Sequence, residues 1–303
     1  MNPLTIIIPT YNRSGKLLET LDALALQDNV NFHVIISDDG SADNTKQAVE
    51  EKKQSLPFSL DYFYHPNGGA SASTNLAVER AKDGLIILLD DDILPATDTI
   101  SKHITFHREY PGSILSGSAD TDSNRSLTDV QRYKLFMETE WKKIRPDTNK
   151  QIAIDFNNFI ITTANMSFPK TVFQQLTGFN ISLRDGYDVD FGFRALLAGV
   201  PLYFDGTVKS IHNDQINLRY YAKRQKAYLD SKRIIFSNYP ELRKKINADF
   251  DLKVPFYKSV FYSLLKRRVA VNFFESSTFA ALFPRAIRYR IYGSTIAALT
   301  LTQ

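Results

Sequence analysis

The sequence predicts an α/β fold, a mostly parallel sheet with helices on both faces, followed by a basic and largely helical region. Three observations carry this reading. Short apolar runs, Leu4–Ile8, Phe32–Ile36 and Leu85–Leu89, alternate with segments whose apolar residues recur at helical spacing. Each run passes directly into a polar cluster, as strands do when their carboxyl ends gather along one edge of a parallel sheet. The charge then changes sign along the chain: residues 219–303 carry 17 Lys and Arg against 5 Asp and Glu, which leaves 20 against 28 for residues 1–218.

With 303 residues, 43% of them hydrophobic and 12% aromatic, the chain can bury one large core or two ordinary ones. It contains no cysteine, which excludes a disulfide framework and any thiolate ligand or nucleophile. The first apolar run is too short for a signal sequence and has no basic segment before it. No later run reaches the roughly 18 apolar residues that a membrane span requires. A soluble, cytoplasmic protein is the expectation.

Leu4–Ile8 is closed by Pro9 and reads as a first buried strand, with Thr10, Tyr11, Asn12 and Arg13 as the polar loop after it. Leu17, Leu18, Leu21, Leu24 and Ala25 mark one face of a helix. Phe32–Ile36 is the second strand and runs into Ser37-Asp38-Asp39-Gly40-Ser41, after which Asp43 or Asn44 caps a helix through Lys53. Leu60–Tyr64 alternates like a third strand. Pro66-Asn67-Gly68-Gly69 is a loop, Ser71 or Ser73 caps the helix that runs to Lys82, and Gly84 leads into the strand Leu85–Leu89. Beyond Pro95, Thr99–Tyr110 reads as a helix, Ser113–Ser116 as a strand, and residues 119–128 as a polar loop long enough to act as a lid. Asp129–Lys143 is amphipathic around Leu135, Phe136 and Trp141. Ile152–Phe168 alternates loosely as a strand, a helix ends at Gly178-Phe179, and the loop at Arg184–Gly186 turns into a helix running to Gly199. Leu202–Phe204 and Thr207–His212 read as two short strands.

The chemistry concentrates where Leu85–Leu89 delivers Asp90, Asp91 and Asp92 to one point. Two carboxylates about 4 Å apart repel by roughly 4 kcal/mol at an effective dielectric near 20, so the cluster calls for splaying, protonation or a cation. Mg²⁺ or Mn²⁺ would take oxygen ligands here and fill its other positions with water and phosphate oxygens. A solvated acidic loop is the alternative. There is no G-x-G-x-x-G after the first strand and no G-x-x-x-x-G-K-[ST] anywhere, so dinucleotide and P-loop readings lack their phosphate cradle. Asp188 sits at a loop-to-helix boundary, where an acid can also serve as a cap, and His212 ends the last strand.

From Arg219 onward basic residues interleave with aromatic and aliphatic ones, as in Arg219, Tyr220, Lys223, Arg224 and Tyr228. Two more basic clusters follow, Lys266-Arg267-Arg268 and then Arg285, Arg288 and Arg290, with Phe273, Phe274, Phe279 and Phe283 between them. Two readings fit: a helical subdomain packed on the acidic body, or a surface for anionic lipid headgroups. No nucleic-acid motif accompanies the basic residues, so nucleic acid is not an expected partner.

Residues 4–213 resemble the family 2 inverting glycosyltransferases, which have the GT-A fold. The resemblance rests on Pro9-Thr10-Tyr11-Asn12-Arg13, on Asp38-Asp39-Gly40-Ser41, on Gly68-Gly69 through Asn75, and on Leu89-Asp90-Asp91-Asp92 with its D-x-D pattern. Thr163-Ala164-Asn165, Gly178-Phe179 and Gly186-Tyr187-Asp188 follow in the family's order. The resemblance implies a GT-A domain, taken as residues 1–215; residues 219–303 fall outside it, and the charge pattern makes 216–303 a separate basic, largely helical region.

It also implies roles. Thr10, Tyr11 and Asp39 would contact the nucleotide base and ribose, with Pro9, Arg13 and Asp91 in the same nucleotide site. Asp90 would face the ribose or the metal, Asp92 would ligate Mn²⁺ or Mg²⁺ directly, and His212 would stand near the metal and diphosphate. Asn165 and Tyr187 would belong to the acceptor side, and Asp188 would be the general base. The implied reaction is single-displacement, inverting transfer of a sugar from a nucleotide diphosphate, UDP by default, to a hydroxyl of a glycan or lipid-linked acceptor. The expected location is the cytoplasm, and a peripheral place on the inner membrane face, like homo-oligomer formation, stays open. Two departures stand out: Tyr187 replaces the usual Glu, and Thr74 stands where an Arg commonly precedes Asn75. A nucleotidyltransferase or a non-catalytic sugar-nucleotide-binding subunit on a similar sheet is the alternative.

Overall fold

A computed structural model of the chain describes residues 3–123, 127–143, 149–240 and 255–301, with the side chains of residues 256 and 257 left out. Residues 124–126 of the expected lid loop and residues 241–254 of the basic region therefore lie outside the described residues. The chain divides into two compact units, residues 1–122 with 146–213, and residues 123–145 with 214–303.

The first unit is built on the apolar runs. β1 (Leu4–Thr10), β2 (His33–Asp38), β3 (Ser59–Tyr64) and β4 (Leu85–Leu89) pair in parallel in the order β3-β2-β1-β4. The register sets Thr10 beside Asp38 and Asp38 beside Tyr64, so the polar ends of three strands arrive level. Strand period two explains why continuous apolar runs are needed. Ile6, Ile8, Val34, Ile36, Ile87 and Leu89 face one layer, against α1 (Ser14–Ala25), α2 (Thr45–Lys53) and α4 (Thr99–Glu109). Ile7, Ile35, Ile86 and Leu88 face the other, against α3 (Ala70–Arg80), α6 (Lys170–Gln175) and α7 (Tyr187–Leu197). Helices thus cover both faces.

The sheet continues with β8 (Asn165–Pro169), β6 (Ile114–Asp120), β9 (Leu202–His212) and β5 (Ile93–Pro95), while β7 (Gln151–Ala153) adds to β9. Here β8, β5 and β7 run antiparallel to their neighbours and β6 and β9 are parallel to each other. Two strand readings differ from the sequence expectation. The single strand expected over Ile152–Phe168 is interrupted because Asp155 Oδ1 accepts the amides of Asn157 at 2.6 Å and Asn158 at 3.0 Å, a side-chain turn that ends β7. The two strands expected at 202–204 and 207–212 are one, carried across Asp205-Gly206 by a bulge: Gly117 pairs with Asp205, but the next residue, Ser118, pairs with Lys209.

The bulge is held from inside. Asn165 is fully buried, and its Nδ2 donates to Ser118 O at 3.1 Å and Val208 O at 3.0 Å, on the two strands that the bulge separates. Gly117 is required beside it: a Cβ there would run into the Asn165 amide and come within 2.6 Å of Val208 O. The amide orientation fixes the rest of the network. Asn165 Oδ1 must accept from His103 Nε2 at 2.8 Å, so His103 Nδ1 accepts from Ser167 Oγ at 2.7 Å, and Ser167 Oγ in turn accepts from His107 Nε2 at 2.7 Å. The relay requires His103 to be neutral, because its Nδ1 accepts. Burial pushes His103 down to about 4; His107 is pushed down to about 3 by burial and then by any charge on His103.

An acid-stability prediction follows. Between pH 6.5 and about 4 the unfolded chain takes up a proton at His103 that the folded chain refuses. Stability is therefore complete above pH 6.5 and is lost on acidification, by up to about 3 kcal/mol for His103 alone. In urea unfolding across this range, wild type should lose stability more steeply than His103→Gln, because every carboxylate is common to the two proteins. Parallel curves would show that His103 is not held neutral.

The second unit is helical. α5 (Asp129–Lys143) joins α8 (Leu218–Asn238), α9 (Phe256–Leu265), α10 (Arg268–Phe274), α11 (Ser277–Leu282) and α12 (Arg285–Leu301). Its core gathers Val130, Tyr133, Leu218, Ala222, Val271, Phe279, Tyr292 and Ile296. Asn217 and Ser276 cap α8 and α11 by accepting the amides of Tyr220 and Phe279. Among the described residues no helix is long and apolar enough to cross a membrane.

Candidate functional site

The carboxyl ends of β1, β2 and β4 converge as the sequence implies. The three aspartates form the turn between β4 and β5. Asp91 turns inward: its Oδ2 accepts from Thr10 Oγ1 at 2.8 Å, its Oδ1 from Arg13 at 3.1 Å, and its carbonyl from Thr20 Oγ1 at 2.9 Å. Burial pushes its carboxyl up to about 6, against the Arg13 charge that lowers it. One donor atom each from Asp90 and Asp92 and a ring nitrogen of His212 all lie within 4.8 Å of one another. The antiparallel pairing of β5 with β9 brings this about, since it sets His212 opposite Ile93, the residue after Asp92. His212 Nε2 stands 3.2 Å from Asp92 Oδ1, Arg13 reaches Asp92 Oδ2 at 2.9 Å, and Asn213 N donates to the Asp92 carbonyl at 2.8 Å. Two carboxylates and an imidazole form a donor set suited to Mn²⁺ or Mg²⁺.

The loop after β1 is tied to the loop after β2. Asn12 adopts a left-handed conformation, φ 52°, and its Oδ1 accepts the amide of Ala42 at 2.7 Å while its own amide donates to Ser41 Oγ at 2.8 Å. Pro9 pairs with Ser37 one residue before β1 ends at Thr10, and Tyr11 is half exposed beside this clasp. Asp38 is fully buried: it accepts from the Ser41 amide at 2.7 Å and from the Tyr62 hydroxyl, and burial together with Asp38 pushes that phenol upward. Asp39 is buried as well. Its carboxylate accepts from the amides of Gly68 at 2.7 Å and Gly69 at 2.9 Å and from Asn67 Nδ2 at 3.1 Å, so it shapes the loop that leads into α3.

On the other side, Asn75 exchanges two hydrogen bonds with the backbone of Phe179, both 2.9 Å, and so fixes the Gly178-Phe179 turn against α3. Gly186, φ 70°, opens α7, whose first turn carries Tyr187, Asp188 and Asp190. The two acids differ in kind. Asp190 is 2% exposed and pairs with Arg194 Nη2 at 2.7 Å, and Arg194 also reaches the carbonyls of Leu176 and Gly178. Asp188 is only partly buried, and its Oδ1 accepts the amide of Val189 at 2.8 Å. Tyr187 packs edge-on against Phe179, ring centroids 5.1 Å apart.

The structure therefore brings Thr10, Arg13, Asp90, Asp91, Asp92 and His212 into one cluster. Asn165 is not at the surface with them but inside the sheet. The sequence reading placed Asn12 in the loop after the first strand without a role of its own, since only its residue type signals an αL turn, and it missed His103 and His107. Their spacing of four on one helix face was the available signal for the last two.

The family model described as glycosyl transferase family 2 matches residues 5–177. Among curated relatives, TarS of Staphylococcus aureus, a poly(ribitol-phosphate) beta-N-acetylglucosaminyltransferase, is 29% identical over 38% of this chain and 20% of its own length. An uncharacterized glycosyltransferase of Rickettsia typhi is 26% identical over 67% of this chain and 61% of its own. The chain spans about a fifth of the length of the first curated relatives it matches. Among solved structures, the mannosyltransferase PcManGT of Pyrobaculum calidifontis, in complex with GDP-Man and Mn²⁺, superposes with a TM-score of 0.63 at 17% identity, over 98% of this chain and 86% of its own. TarS 1-349 in complex with UDP-GlcNAc gives 0.53 at 17% identity, over 98% and 89%. These two likenesses are likenesses of fold.

Proposed function

The chain belongs to glycosyl transferase family 2, and from that premise we propose that it is a metal-dependent, inverting enzyme that moves a sugar from a nucleotide diphosphate, UDP favoured, to an acceptor hydroxyl. The observation that carries the reading is the convergence of Asp90, Asp92 and His212. These three would hold Mn²⁺ or Mg²⁺, which as a Lewis acid would offset charge on the departing diphosphate. Arg13 adds a positive charge at the same edge. Pro9, Thr10, Tyr11 and Asp39 would shape the nucleotide pocket, Asp39 through the loop it holds at Gly68 and Gly69.

Asp188 takes the proton from the acceptor hydroxyl as that oxygen bonds to the anomeric carbon, and the bond from that carbon to the diphosphate oxygen breaks with its electron pair leaving on the diphosphate. Attack on the face opposite the leaving group inverts the anomeric centre. Tyr187, with its ring against Phe179, offers the acceptor a stacking surface where a carboxylate is usual. The acceptor is a glycan or a lipid-linked glycan, and the basic C-terminal unit would hold the enzyme at the anionic inner face of a membrane.

Calorimetric titration with UDP, dTDP and GDP, each with and without Mn²⁺, tests the reading. One nucleotide should bind in a metal-dependent manner and fix which activated sugars to assay for transfer. If none of the three binds under either condition, the donor-site assignment fails.

A further inference from the structure

The C-terminal helices sort their residues into two populations that composition alone does not separate. Residues 255–301 carry seven Lys and Arg and one acid, Glu275. Glu275 is engaged, accepting the Leu218 amide at 2.6 Å, and one of the seven cations, Arg288, turns inward to Asp129 at 3.1 Å. Lys258, Arg267, Arg268, Arg285 and Arg290 are exposed.

The apolar residues divide in the same way. In α10, Val271 is fully buried with Phe279 and Tyr292, while Val269 and Phe273, on the opposite side of the helix, are exposed, Val269 by 83%. In α9, Leu265 is buried whereas Val260, Phe261 and Leu264, which fall on one arc of the helix, are each at least half exposed. In α11, Phe279 is in the core and Leu282 is 67% exposed. In α10 the buried and exposed apolar residues thus lie on opposite sides of the helix, with the ring of Phe273 still 5.4 Å from that of Phe279, while in α9 and α11 exposed apolar residues adjoin the buried Leu265 and Phe279. Cations flank these exposed residues: Arg267 joins α9 to α10, Arg268 opens α10 and Arg285 opens α12.

We propose that the exposed apolar residues of α9, α10 and α11, namely Val260, Phe261, Leu264, Val269, Phe273 and Leu282, form an in-plane docking surface for an anionic lipid bilayer, with the neighbouring Lys and Arg on the headgroups. Charge selects this occupant. A bilayer that offers apolar depth beneath a negative surface complements both populations. A second copy docking through the same patch would oppose like charges, since a two-fold contact sets each patch against itself. The inference deepens the acceptor class, and in that respect rests on the transferase reading: an enzyme held in this way meets acceptors that are lipid-linked at the membrane surface.

The test is vesicle co-sedimentation of the full chain with neutral phosphatidylcholine and with vesicles containing a third phosphatidylglycerol, alongside analytical ultracentrifugation without lipid. UDP titration of the same preparations reports separately on the donor site. Wild type should partition onto the anionic vesicles and not the neutral ones. Arg267→Glu with Arg268→Glu, or salt raised to about 0.5 M, should weaken partitioning roughly tenfold or more. Val269→Glu with Leu264→Glu should abolish it while UDP binding is unchanged. The proposal is overturned if UDP-binding protein ignores anionic vesicles, or binds neutral and anionic vesicles equally. It is also overturned if the free protein forms dimers that Val269→Glu with Leu264→Glu dissolves, which would make the face a self-interface.

Discussion

Asp188→Asn should lower turnover by about 10²- to 10⁴-fold and leave metal-dependent nucleotide binding at the wild-type level. The substitution is close to isosteric, and the amide oxygen of Asn can still accept the Val189 amide that Asp188 Oδ1 accepts at 2.8 Å, so the first turn of α7 keeps its geometry. What is lost is the capacity to take a proton. Asp190, two residues on, gives the internal control. It is the buried acid, paired with Arg194, and through Arg194 it fastens α7 to the carbonyls of Leu176 and Gly178. Removing one partner of such a pair leaves an uncompensated buried charge and costs about 3–5 kcal/mol. Asp190→Asn should therefore lower the unfolding midpoint, whereas Asp188→Asn should not. Initial-rate kinetics with the kcat and KM contributions resolved, together with nucleotide titration, separate the two outcomes. Turnover within tenfold of wild type in Asp188→Asn would remove it as the base.

The contrast between these two acids also shows what a sequence discloses. Continuous apolar runs identified β1, β2 and β4, because strands buried on both faces leave no polar positions to confuse the reading. The clustering of Thr10, Arg13 and the three aspartates followed from parallel register alone. Other features depended on pairings far apart in the chain. Nothing local to Asn165 indicates that it bridges the carbonyls of Ser118 and Val208, and the bulge it holds exists only where β6 meets β9. The loose alternation of residues 152–168 looked like one strand because Asp155 breaks it by a side-chain turn, which hydrophobic pattern does not register. In the C-terminal unit the composition announced basic and aromatic residues, but not which of them face inward; Phe279 and Phe273 differ only through tertiary packing.

Asp92→Asn should abolish metal-dependent nucleotide binding while the protein stays folded. Asp92 is buried, and its carboxylate lies between Arg13, 2.9 Å from Oδ2, and His212, 3.2 Å from Oδ1. Asn keeps the size and one acceptor oxygen but removes the charge that a hard divalent cation requires. Even a partner of a metal ligand typically contributes 10- to 100-fold in affinity, so loss of a direct ligand should weaken Mn²⁺ by about 100-fold or more. Stability should change little, because Arg13 retains Asp91 at 3.1 Å and Asn213 still donates to the backbone carbonyl at position 92. The matched control is Asp91→Asn. Burial already raises the carboxyl of Asp91 to about 6, its oxygens accept from Thr10 and Arg13, and it is not among the three grouped donors Asp90, Asp92 and His212. Its neutral analogue should retain Mn²⁺ within about tenfold of wild type, the small loss reflecting one fewer negative charge nearby. Manganese titration followed by electron paramagnetic resonance reads both variants without requiring turnover. Equal loss in the two variants would mean that the cluster acts only through its summed charge; loss confined to Asp92→Asn assigns the ligand.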